Sequence, residues 1–170
     1  AHHPLFFVPL EFNQNVPIIS FHTCLDKAIG GTTDCLIKKL WLNGEIKQVG
    51  EFLRIVQQEI ATKDLISLIK SKLKITNLRV INNKNKKKKK NIALCSGSGS
   101  DFIETAKKEC ADVLITGDIK YHTAIDSDIM LIDAGHFETE IPVLMTLKNL
   151  MSSFELECIL ANEKSPFINY

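Results

Sequence analysis

All five histidines of this chain fall in short polar clusters: His2-His3, His22-Thr23-Cys24-Leu25-Asp26, Gly117-Asp118-Ile119-Lys120-Tyr121-His122 and His136-Phe137-Glu138-Thr139-Glu140. Imidazole nitrogens and carboxylate oxygens together are ligands for first-row divalent cations. Adjacent residues of an extended chain point to opposite sides, so His2 and His3 can face one site only where a strand ends and turns. Paired histidines at a chain start also fit a tag remnant. His22 and Asp26, four apart, suit a loop or first helical turn from which both approach a cation. The plainer alternative is a surface loop whose Asp26 caps the next element. His136 follows a strand and Glu140 falls in the first turn of a helix, where anions are favoured and a carboxylate can be presented to a metal. A capping glutamate with a hydrogen-bonded histidine is the competing reading there.

These clusters need elements to position them. The run Val16-Pro17-Ile18-Ile19-Ser20-Phe21-His22 is β-branched and apolar, which predicts a buried strand. After Gly30-Gly31, Thr32 or Thr33 can cap a helix through Leu36, Ile37 and Leu40. Residues 51–58 read as a strand, and Thr62 opens a helix with a stripe of Leu65, Ile66, Leu68, Ile69 and Leu73. Residues 91–95 (strand), 101–109 (helix) and 112–116 (strand) form a βαβ unit, which implies parallel pairing and a right-handed crossover. A strand over 130–133 leads to His136, then a helix from about Thr139 with Pro142 in its first turn. A last strand is expected near 155–160. Strands alternating with helices give an α/β fold. Open α/β sheets bind ligands beyond the carboxyl ends of their strands, where these His, Asp and Glu clusters lie.

Two other segments invite a functional reading. Ser96-Gly97-Ser98-Gly99-Ser100 before a helix suggests a backbone cradle for an anion. It lacks the Lys-Ser/Thr of a P-loop and the dinucleotide glycine spacing, so a tight strand-to-helix turn suffices. The lysine-rich run at 82–90 is read as a self-repelling, solvated loop rather than a nucleic-acid tether.

The chain has 170 residues, 45% of them hydrophobic, which is enough for one domain with a buried core. Its 21 Lys+Arg balance 20 Asp+Glu for a net charge of +1, with mean hydropathy of +0.03. That balance argues against a strongly basic nucleic-acid binder. Nothing approaches the roughly 20 apolar residues of a membrane helix. The five cysteines are scattered and never spaced Cys-x-x-Cys, so they read as reduced, mostly buried residues of a cytoplasmic protein. No signal peptide is visible, and the opening Ala1-His2-His3-Pro4 suggests that an upstream element is missing.

In order, His2-His3-Pro4-Leu5, His22-Thr23-Cys24-Leu25-Asp26, the Gly97-Ser98-Gly99 turn, Thr116-Gly117-Asp118-Ile119-Lys120-Tyr121-His122, Gly135-His136-Phe137-Glu138-Thr139-Glu140 and the closing Pro166-Phe167 resemble the Nif-three-like proteins. Bacterial members are commonly labelled GTP cyclohydrolase I type 2 homologs. The resemblance implies a Nif-three-like fold: one unit over 1–170 of two interlocked α/β lobes, about 1–81 and 91–170, with the Lys-rich loop 82–90 between them. The family's first strand and helix would precede His2-His3. The resemblance also implies a dinuclear metal centre, with His3 and Asp26 on one ion, His2 and His136 on the other, and Glu140 bridging. His22, Asp118 and His122 are then candidates for catalytic or substrate-facing roles. A homohexamer is implied as well.

Three imidazoles and two carboxylates without thiolate suit Zn, Mn, Fe or Co better than Ca, and do not choose among the four. Two such ions can lower the pKa of a shared water, which points to metal-dependent hydrolysis of a nucleotide-like substrate. The alternative is a metal-binding scaffold or regulatory ring without turnover. No membrane partner is expected, and nucleic acid is disfavoured.

Overall fold

Three runs of buried residues make the centre of the molecule: Ile92–Cys95, Val113–Gly117 and Met130–Asp133. Strands buried on both faces read as unbroken apolar runs, as in parallel sheets covered on each side. The computed structural model describes residues 19–81 and 88–167. In chain order these hold helices α1 (Thr23–Lys27) and α2 (Thr32–Lys39), strands β1 (Glu45–Val49) and β2 (Leu53–Ala61), and α3 (Thr62–Leu73). Next come β3 (Arg79–Ile81), β4 (Lys88–Ser98), a 3-10 turn (Ser100–Phe102), α4 (Ile103–Lys108), β5 (Val113–Gly117) and α5 (Tyr121–Asp126). The last elements are β6 (Met130–Asp133), α6 (His136–Glu140) and α7 (Val143–Ser152).

The strands form one mixed sheet in the order β1-β2-β4-β5-β6-β3. β4, β5 and β6 run parallel, as the βαβ pattern requires, while β1/β2, β2/β4 and β3/β6 are antiparallel. The two halves of the chain therefore interlock through one sheet, β2 joining β4 and β3 joining β6. Alternating side chains feed two cores. Leu94, Ile115 and Ile132 pack with Leu36, Ile37 and Leu40 of α2 and Leu65 and Ile69 of α3. Ala93, Cys95, Leu114 and Leu131 face Ile103 and Ala106 of α4 on the other side. At one end of the sheet the pairs Ser98↔Gly117 and Thr116↔Asp133 bring the carboxyl ends of β4, β5 and β6 side by side.

Several local expectations are corrected. The strand expected to reach His22 is not seen at residues 19–22, and its earlier part lies outside the described residues. Residues 155–160 form no strand; Leu156 and Ile159 are exposed, so no sheet edge recruits them. The last three lysines of the expected loop belong to β4, paired as Ala61↔Lys88 and Ile60↔Lys89. The pleat sends Lys88 and Lys90 outward to Glu59, whereas Lys89 turns inward and is buried. β1, β3 and α5 complete the sheet and its crossovers without a strong pattern of their own. No helix among the described residues is long and apolar enough to cross a membrane.

Candidate metal centre

His22 caps the single turn of α1, its carbonyl accepting from the Leu25 and Asp26 N–H groups (2.8 and 3.3 Å). A pin to the sheet holds this short turn. The Thr32 hydroxyl donates to Asp26 Oδ1 (2.9 Å) and accepts from the Ser96 hydroxyl at the end of β4 (2.7 Å). The Ser96 N–H also donates to Thr33 Oγ1 (3.2 Å). Asp26 thereby reaches the carboxyl end of the sheet, although α1 is not a strand.

α6 brings the second group. His136 and Glu140 stand one helical turn apart, Nε2 to Oε1 3.1 Å. Thr139 between them is fully buried and accepts the Gly97 N–H at 2.9 Å, fastening α6 to β4. Gly97 has φ +66, and a Cβ there would lie 2.4 Å from Glu140 Oε1 and 3.3 Å from His136 Nε2. Only glycine lets these two side chains lie across the strand end.

A cavity of about 260 Å³ results, with His22, Asp26, Ser96, His136 and Glu140 in its wall. A second cavity, about 340 Å³, shares His22, Asp26 and Glu140 and continues over Phe21, Leu144 and Leu147. Neither is lined by Lys or Arg among the described residues. Burial pushes the Glu140 carboxyl above its ordinary range; the His136 charge opposes this, and the Asp26 charge reinforces it. The His136 imidazole is held above its usual value, chiefly by its hydrogen bond to Asp118 and against the effect of burial. Cys95 is not a candidate thiolate, because burial pushes it up to about 12.

The structure thus gathers Asp26, His136, Glu140 and His22 at one cavity, with Asp118 behind His136. His122 is not gathered: it lies exposed on α5, its ring edge-on to Tyr121. His2 and His3 lie outside the described residues. Among the described residues no three His, Cys, Asp or Glu side chains are grouped so as to hold a metal ion by themselves. The chemistry of the donors still fits a divalent cation. An imidazole and two carboxylates, one destabilised by the other's charge, face a cavity that no Lys or Arg among the described residues lines, and the glycine cradle keeps Glu140 and His136 over it. Remaining ligands would have to come from outside the described residues.

The sequence of the Ser96–Ser100 segment suggests a tight turn or an anion cradle. Its N–H groups at Gly97 and Gly99 are instead consumed by Thr139 and Thr116 (2.9 and 2.7 Å), so the segment shapes the cavity and offers an anion neither of these donors. Thr32, Ser96 and Thr139, which assemble the centre, carried no signal beyond helix capping and turn formation.

The sequence model for Duf34/NIF3 (NGG1p interacting factor 3) matches residues 1–166. The chain belongs to the Duf34/NIF3 family. It is similar to a GTP cyclohydrolase 1 type 2 homolog from Clostridium perfringens, 32% identical over 198 residues, covering 98% of this chain and 75% of that protein. A protein of the same description from Campylobacter jejuni is 33% identical over 185 residues, covering 98% and 74%. The fold matches a Staphylococcus aureus hypothetical protein, SA1388, with a TM-score of 0.79 at 22% identity over 99% of this chain and 78% of that one. A Bacillus cereus protein related to NIF3 matches with 0.72 at 18% identity over 99% and 82%. The α/β sheet is that of NIF3 structures.

Proposed function

We propose that this Duf34/NIF3 chain is a metal-dependent hydrolase in which Asp26, His136 and Glu140, joined by His2 and His3, hold two divalent cations of the Zn, Mn, Fe or Co class. The observation that carries this reading is the shared cavity: carboxylates from α1 and α6 and the imidazole of His136 face one space at the carboxyl end of the parallel strands. Such cations supply Lewis acidity, which lowers the pKa of water and polarises the bond under attack. The chain's own residues do the rest. Glu140, half-buried at the cavity wall, would give its carboxylate to the cations. His22 stands at the cavity wall, where it can orient a substrate group. The apolar continuation over Phe21, Leu144 and Leu147 excludes water from a bound ring.

The description of the relatives suggests a nucleotide-like substrate. That no Lys or Arg among the described residues lines either cavity favours a second reading, a metal-holding scaffold without nucleotide turnover. Exposed Met145, Leu150 and Phe154 on and after α7 support self-association, and a homohexamer is the proposed assembly.

Elemental analysis of native protein, with a hydrolysis screen of nucleotides and their heterocyclic bases, tests the reading. His136→Ala and Glu140→Gln are expected to lose metal and turnover together while staying folded. Full metal occupancy with no turnover on any compound supports the scaffold, and undiminished metal in both variants refutes the centre. Light scattering on a sizing column tests the hexamer.

A further inference from the structure

We propose that Asp118 is the positioning residue of this centre: its carboxylate keeps a proton on His136 Nδ1 and thereby directs the Nε2 lone pair into the cavity shared with Asp26 and Glu140. This rests on the metal-centre reading above and deepens it.

Asp118 Oδ2 lies 2.6 Å from His136 Nδ1. A carboxylate only accepts, so Nδ1 is the donor. The competing contact, Nε2 to Glu140 Oε1, is longer at 3.1 Å. A neutral ring holds one proton, and the shorter, charge-assisted bond retains it. Which nitrogen of a metal-binding imidazole is free is set by the bond its other nitrogen makes.

The backbone is built to make this contact. Asp118 has φ +56, a conformation that Asp and Asn tolerate better than most residues. A Cβ on Gly117 would fall 2.6 Å from the backbone nitrogen of His136, so only glycine allows the two loops to lie so close. Asp133, nearly buried, accepts both the Ile119 N–H (3.0 Å) and the Gly135 N–H (3.1 Å). It thus staples the Asp118 loop to the His136 loop, and Arg79 from β3 pairs with the same Oδ2 that accepts from Ile119. Stability alone does not account for the arrangement. The His136 and Asp118 side chains are 44% and 48% exposed, and pairs that open to water contribute little to folding.

Two variants suited to the positive φ test the role. Asp118→Gly removes the acceptor, and Asp118→Asn keeps an acceptor oxygen. Nitrogen NMR of the metal-free protein with isotope-labelled histidine, in mildly alkaline buffer, reads which ring nitrogen of His136 carries the proton. The wild type and Asp118→Asn are expected to hold it on Nδ1, and Asp118→Gly to move it toward Nε2. Titration with Zn²⁺ alone should show Asp118→Gly binding roughly 10- to 100-fold more weakly, with Asp118→Asn regaining most of the loss. An Nδ1 proton unchanged in Asp118→Gly, or Zn²⁺ affinity equal to the wild type, overturns the proposal. If the wild type binds no Zn²⁺, the metal-centre reading falls, and with it the purpose assigned to Asp118; the proton position then reports the hydrogen bond alone.

Discussion

Replacing Gly97 by alanine should injure the centre more than the fold, and Gly50 provides the control. Both glycines have positive φ, +66 and +60, so alanine at either meets the same left-handed backbone cost, about 1–2 kcal/mol. For a chain of this size that lowers Tm by roughly 2–8 °C. The surroundings differ. A Cβ on Gly50 meets nothing within 4 Å, whereas one on Gly97 lies 2.4 Å from Glu140 Oε1. That oxygen must retreat by about 1 Å to reach ordinary contact distance, and His136 Nε2, 3.3 Å away, is crowded as well. Displacement of that size at a preorganised site is expected to weaken Zn²⁺ binding by at least about tenfold. Calorimetric titration of Zn²⁺ into both variants, with thermal unfolding of the metal-free proteins, separates the effects. Gly97→Ala and Gly50→Ala should lose similar stability, with only the first losing affinity. Unchanged affinity in Gly97→Ala, or equal affinity losses in the two, would refute the argument that this glycine exists to make room for the ligands.

Two further outcomes follow from groups away from the cavity. Arg54 is 2% exposed and donates to Asp34 Oδ1 (2.9 Å) and to the carbonyls of Glu51, Leu53 and Ala28, so Arg54→Met leaves a partly buried carboxylate without its guanidinium. Urea unfolding should show a loss of about 3–5 kcal/mol, and a loss under about 1 kcal/mol would show that the pair contributes little net stability. Cys95 has its thiol pKa raised by burial from 9.0 to about 12, so above pH 9 the unfolded chain binds fewer protons than the folded one. Stability should fall as pH rises from 9 toward 12, and Cys95→Ala should flatten that slope. In folded protein near pH 8, iodoacetamide should label exposed Cys24 and Cys110 well before Cys95.

Local pattern carried much of this fold. The apolar runs of β4, β5 and β6 and the stripes of α2 and α3 specify their elements because periodicity is a property of neighbours along the chain. The donor residues were legible by type, but the helix expected from about Thr139 instead runs His136–Glu140, and it is this earlier start that sets the two side chains one turn apart. Other features required the assembled sheet. β1 and β3 are short edge strands that exist through their pairing with β2 and β6, and Lys89 is buried because register with Ile60 points it inward. Sequence neighbours also misled at the site. Asp118 lies near His122 in the chain, yet it bonds His136, because Asp133 and the bare Cα of Gly117 draw two strand ends together. The sequence by itself determined which side chains were chemically able to serve. Tertiary structure decided which of them meet, because convergence depends on strand order and on backbone approaches of a few ångströms between residues distant along the chain.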